Sequence, residues 1–160
     1  MHPYLIPGLS SGPAVLRHLV ALVSPDQLDV PTHPGRFTVR EVVAHLADWE
    51  PILRARVEGS AEVDGFAVVP LDEEVRAAEQ RYGEWDVDEA LAKFARERAV
   101  TLERLQQIPE PAWSHVANHP ERGPLSTADL AWVIVGHDNY HLVQMAQFLD
   151  LIEVAPTATR

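Results

Sequence analysis

Two histidines four residues apart, His137 and His141, fall in the middle of an apolar stripe traced by Leu130, Ile134, Met145 and Phe148. On a helix, four residues turn a side chain by only about 40°, so both imidazoles project the same way, one turn apart. Two rings so placed can hold one metal ion together. A third candidate lies far upstream: His45 stands beside Leu46 on the face outlined by Val42, Leu46, Trp49 and Leu53. Three neutral imidazoles meeting at one point suit a catalytic zinc site, and also nickel, iron or manganese, with one position left open. Such an ion can polarise a carbonyl, activate water or stabilise a thiolate brought by a substrate. The competing reading is three hydrogen-bonded core histidines. An unpaired ring in a core costs about 1–3 kcal/mol, so three together call for a common partner.

Acids near these rings are candidates to accept the other imidazole N–H. Glu41 and Asp48 flank His45 at about one turn, and Asp138 follows His137 directly. Asp48 is the preferred partner. Arg98 interrupts the apolar stripe between Phe94 and Leu102. It either snorkels to the surface, the reading preferred here, or binds an anionic cofactor or substrate group at a cavity mouth. His2, His18, His33, His115 and His119 are assigned to solvent, helix edge or turn positions. Trp49, Trp85, Trp113, Trp132 and Tyr140 are read as core or interface aromatics rather than ligand clamps.

Four segments with helical periodicity must carry these residues. They run over about residues 11–23, 38–58, 86–108 and 126–152, separated by proline and glycine. Thr38 and Glu41 form a capping box for the second, and Pro51 inside it predicts a kink or break. Asp86 opens the third, and Ser126 or Thr127 opens the fourth. Residues 59–86 are the least regular, with a short helix expected within 71–81. Strand alternation is missing, and residues 66–69 are too short to build a sheet on. The expectation is an all-α chain, a four-helix bundle with a long irregular connection between helices two and three. Residues 1–160 are expected to form a single helical domain.

Composition narrows the chemistry. The 160 residues include 13 Lys plus Arg, 24 Asp plus Glu and no cysteine, for a net charge of −11. Disulfides, thiolate metal sites and a protein thiol nucleophile are excluded. The acidic balance argues against nucleic acid and anionic membrane surfaces as partners. Pro3 and Pro7 interrupt the N-terminus, and the most apolar stretch, residues 13–23, carries Arg17 and His18. Neither an export signal nor a spanning helix is expected, and a cytoplasmic location is.

Taken in order, "TVREVVAHLADWE", "LAKFARERAVTLERL", "HPERGPLSTADL" and "GHDNYHLVQMAQFL" resemble the DinB-like superfamily of four-helix metalloproteins. The resemblance spans about residues 38–149. It implies an up-down-down-up bundle, often a homodimer, with one divalent ion on His45, His137 and His141. Zinc or nickel is favoured, with iron or manganese as alternatives. Members include S-transferases and isomerases that use low-molecular-weight thiols, and others described as metal-dependent hydrolases. The family name comes from damage-inducible expression, not from DNA chemistry. The expected activity is therefore thiol-dependent S-transfer to a small electrophilic substrate, with the sulfur brought by a cosubstrate. The alternatives are hydrolysis by metal-bound hydroxide, with Asp48 or Asp138 taking the proton, and a non-catalytic, metal-stabilised dimeric bundle.

Overall fold

The computed structural model describes residues 3–150. His2 and the expected helix end at Ile152 lie outside them. In chain order the elements are α1 (Leu5–Val20), α2 (Val39–Glu62), β1 (Phe66–Ala67), α3 (Glu73–Glu79), α4 (Val87–Gln107), β2 (Val116–His119), β3 (Gly123–Ser126) and α5 (Thr127–Phe148). The four long helices pack in the ring α1–α4–α2–α5.

Caps set the long helices where the sequence placed them. Thr38 Oγ1 accepts the Glu41 N–H at 3.2 Å, and Glu41 Oε2 accepts the Thr38 N–H at 2.8 Å. Asp86 caps α4 through the Glu89 N–H. Ser126, rather than Thr127, caps α5 in a reciprocal pair with Asp129. The short helix expected within 71–81 is α3, capped by Asp72. The first helix departs from expectation: it starts at Leu5, not near residue 11. Pro7 lies in the first turn, where no intrahelical N–H is needed, so it is tolerated.

Two prolines lie deeper, at positions where each costs a hydrogen bond. Pro51 lacks an N–H for the Ala47 carbonyl, yet α2 runs unbroken through it. The vacated carbonyl accepts from Lys93 Nζ of α4 at 2.9 Å. Pro13 likewise leaves the Leu9 carbonyl free, and Arg98 Nη1 of α4 fills it at 2.8 Å. We expect Lys93→Met to cost about 1 kcal/mol in urea unfolding. The cost should be smaller in a Pro51→Ala background, where an N–H from residue 51 can take the carbonyl back.

The all-α expectation needs correction. A three-stranded sheet of order β1-β2-β3 is present, with β1 parallel to β2 and β2 antiparallel to β3. Its strands have two to four residues, too few to show alternation, and Gly123 at φ +76° lets the hairpin turn. The sheet closes one end of the bundle through the Gly65 N–H to Val116 carbonyl bond and the Thr127 N–H to His115 carbonyl bond.

The core is split in two along the bundle axis. One apolar cluster holds Leu16, Leu19, Val42, Leu46, Leu91, Phe94 and Met145. The other holds Leu5, Leu9, Trp49, Leu53, Leu105, Leu130 and Ile134. Between these sets, in the sequence of every long helix, come Gly12, then Asp48, then Arg98, then Asp138 and His141, with His45 about one turn before Asp48 on the same helix. A buried polar layer thus crosses the bundle at mid-height. Among the described residues no helix is long and apolar enough to cross a membrane.

Candidate metal centre

α2 and α5 bring the three predicted histidines together. His45 is fully buried and His141 nearly so. One candidate ligand nitrogen from each of His45, His137 and His141 lies within 4.8 Å of the others. His45 Nε2 and His137 Nε2 face each other at 2.8 Å. The ring centroids are 4.7–4.9 Å apart. Burial, reinforced by neighbouring rings and arginines, depresses all three. His45 is pushed down to about 2, His137 to about 3 and His141 to about 4. All three are therefore neutral near pH 7 and keep lone pairs, the form a divalent ion requires.

One ring is held by a relay that runs across the chain. His141 Nδ1 and Gln144 Oε1 are 3.0 Å apart. Gln144 Nε2 donates to Thr32 Oγ1 at 2.5 Å, and Thr32 Oγ1 donates to the Phe37 carbonyl at 2.8 Å. The amide orientation follows from this chain: its nitrogen faces the hydroxyl, so its oxygen must accept from Nδ1–H. That leaves the lone pair of His141 on Nε2. His45 Nδ1 has no partner, but the His45 ring is packed against Phe37, Trp49 and Tyr82 at 5.3–6.1 Å. Three neutral, converging imidazoles, one with its tautomer set, fit a borderline divalent ion. If one is held here, Gln144→Leu should weaken its affinity about 10–100-fold, measured by chelator competition.

The acids named from sequence do other work. Asp48 is bound by Arg76 through Nε and Nη2, the latter at 2.9 Å, and by the Tyr82 hydroxyl at 2.7 Å. Asp138 points to Arg98, with contacts of 2.6 and 2.9 Å. Arg98 also makes a two-pronged pair with Glu50 at 2.7 and 2.6 Å. At 1% exposure it neither snorkels nor stands at the mouth of the cavity beside the histidines. Both readings of Arg98 are overturned, because partners from three other helices satisfy all its donors in the core. Gly12 makes room for this network: a Cβ there would come within 2.7 Å of Asp138 Oδ2.

His137 and His141 open onto a cavity of about 740 Å³. Trp49, Leu53, Leu130 and Val133 give it apolar walls, and Tyr140 stacks edge-on to His141 at 5.0 Å. Trp49 and Trp132 thus face the cavity, while Trp113 is a core residue as expected. His119, expected only in a turn, is buried in the cavity wall beside Arg56 and Arg122. Sequence reasoning missed these two arginines and the relay residues Thr32 and Gln144. Only Gln144 carried a signal, as the glutamine three residues after His141.

The sequence profile described as the DinB superfamily matches residues 9–145. A Bacillus subtilis protein named "Putative metal-dependent hydrolase YfiT" is 26% identical over 87% of this chain and 79% of its own length. An Oceanobacillus iheyensis protein, "Putative metal-dependent hydrolase OB0782", is 25% identical over 83% and 77%. The crystal structure of YfiT from Bacillus subtilis, described as having an unusual four-helix bundle topology, superposes with a TM-score of 0.85 at 24% identity, covering 92% of this chain and 85% of that one. The mycothiol-dependent maleylpyruvate isomerase superposes at 0.71 and 15% identity, over 88% of this chain and 59% of the other. These likenesses support the bundle.

Proposed function

This chain belongs to the DinB superfamily, and from that premise we propose that it is a divalent-metal-dependent enzyme transferring a small thiol to an electrophilic substrate. His45, His137 and His141 hold the ion, with Gln144 and Thr32 orienting His141. When bound, such an ion supplies Lewis-acid polarisation, which lowers the pKa of a thiol or water beside it. The apolar walls from Trp49, Leu53, Leu130 and Val133 exclude bulk water from the reacting groups.

The observation that carries the choice of thiol over water is where the carboxylates go. Asp48 and Asp138, the two acids adjacent to ligands in sequence, are both tied to arginines. Neither is free to accept a proton from water, the step a hydrolase would ask of it. A thiol has an ordinary pKa near 8.5 and gives up its proton near neutral pH with far less help. The chain has no cysteine, so that thiol enters through the cavity, whose volume suits a small molecule.

The names of the two bacterial relatives keep metal-dependent hydrolysis as the second reading. One assay separates them: metal-loaded and metal-stripped protein, offered an alkylating electrophile with and without each of several small thiols, and in parallel a panel of ester and amide substrates. Thiol-dependent consumption that needs metal is expected. Metal-dependent turnover of the esters or amides without thiol would reverse the assignment, and equal rates with and without metal would remove both.

A further inference from the structure

The cavity in front of the histidines has a charged wall that thiol activation does not use. Arg56 of α2 lies over the Trp49 indole, its guanidinium carbon 5.6 Å from the ring centroid, and Nη2 donates to the Val69 carbonyl at 3.2 Å. The same indole is 6.3 Å from the His137 ring. Arg122, in the β2–β3 turn, and His119 line this wall too. His119 Nδ1 accepts the Glu121 N–H at 3.2 Å, so the neutral ring carries its proton on Nε2 and is a donor as well. Among the described residues neither guanidinium is within 4.0 Å of a carboxylate, unlike Arg98, Arg76 and Arg54.

The acids of this cavity are Glu73, Glu74 and Asp129. Asp129 is committed to the Ser126 cap. Glu73 is exposed and lies in the combined field of Arg56 and Arg122. Arg36, Arg56 and Arg122 line the same cavity as His137 and His141. A chain of net charge −11 thus keeps Arg56 and Arg122 on the wall of one internal site without a carboxylate partner among the described residues, and their donors there are open to an anionic ligand.

We propose that Arg56, Arg122 and His119 form a carboxylate subsite in this cavity, and that the substrate or thiol brought to the three histidines is a small acid whose carboxylate lies several bonds from its reacting atom. The subsite fits a monoanion. Glu73 and Glu121, both in reach of Arg56, temper the two guanidiniums, which favours a single negative charge over a phosphate dianion. Planar guanidinium donors also match a carboxylate edge. The identity of the reacting ligand rests on the reading of the histidines as the reactive centre; the subsite itself is tested without them.

The probes are butyrate, butyramide and inorganic phosphate, titrated into the full chain and followed by amide NMR shifts. Butyrate is expected to bind at least tenfold more tightly than butyramide, shifting signals of Arg56, His119 and Arg122. Arg56→Gln and Arg122→Gln should each weaken butyrate about tenfold, as expected for one charge-assisted hydrogen bond, without changing butyramide. Arg122 is exposed in a turn, so its variant does not threaten the fold. Glu73→Gln should strengthen butyrate. Absent or equal binding of butyrate and butyramide, butyrate affinity unchanged in both arginine variants, or tighter binding of phosphate would each overturn the subsite. His137→Ala, assayed in parallel, separates the two ideas: it should keep butyrate discrimination while metal content reports on the metal centre alone.

Discussion

His137→Ala is expected to lose the bound divalent ion, with metal content falling from about one per chain to near zero and thiol-transfer activity falling with it. Alanine leaves two imidazoles, and a borderline ion bound by two neutral nitrogens in a pocket is held far less tightly than by three. The same variant separates metal binding from fold integrity. In metal-free protein the three rings are neutral, desolvated and crowded, so removing one should change unfolding free energy by only about 1–2 kcal/mol. Adding zinc at about a thousand times its dissociation constant should stabilise wild type by about 4 kcal/mol and leave the variant unmoved. Elemental analysis of untagged protein and thermal unfolding with and without zinc are the measurements. Wild-type metal content in the variant would remove His137 from the site. Collapse of the metal-free variant would make the cluster a structural element instead.

Arg98→Met should be the most destabilising substitution in the bundle, by about 3–5 kcal/mol. The side chain is 1% exposed and joins Glu50, Asp138 and the Leu9 carbonyl. The paired state is itself weak support for stability, since desolvating three charges offsets most of their attraction. Breaking it is another matter, because two carboxylates stay buried without a counter-charge. For a chain of this size the melting temperature should fall by roughly 6–20 °C. Adding Glu50→Gln and Asp138→Asn to the Arg98→Met variant should recover part of the loss, since the unpaired charge is the larger cost. A single variant within about 1 kcal/mol of wild type in urea unfolding would contradict this account.

The sequence exposed whatever depends on near neighbours. The spacing of His137 and His141, the inward face of His45, the capping box at Thr38 and a cap at Ser126 or Thr127 are all local patterns, and the structure carries each of them, with Ser126 as the cap. Features that depend on distant partners were hidden. Arg98 on an apolar stripe reads as a snorkelling residue until Glu50 and Leu9, 48 and 89 residues away, are placed against it. Asp48 looked like a histidine partner because it is near His45 in sequence, but Arg76 and Tyr82 reach it from the irregular connection. Gln144 was visible, whereas its role needs Thr32, 112 residues earlier. The sheet escaped notice because its strands, two to four residues long, are too short to show alternation, and β1 meets β2 only across some 50 residues of chain.

The carbonyls vacated by Pro13 and Pro51 have a consequence for axial alignment. Lys93 and Arg98 of one helix each grip a single carbonyl of a different neighbour. Sliding α1 or α2 by one turn, about 5.4 Å, would offer the cation a carbonyl already engaged by its own helix. The prolines therefore act as index marks that fix the translational register of two helices against a third. His45 rides on the indexed α2, two residues before the gripped Ala47, and Arg98 ties the same α4 to Asp138 of α5, so a proline outside the site helps set the height at which His45 meets the α5 pair. Inserting one residue between Lys93 and Arg98 would swing one cation about 100° away from its mark, and the histidines would lose their common level without any of them being changed.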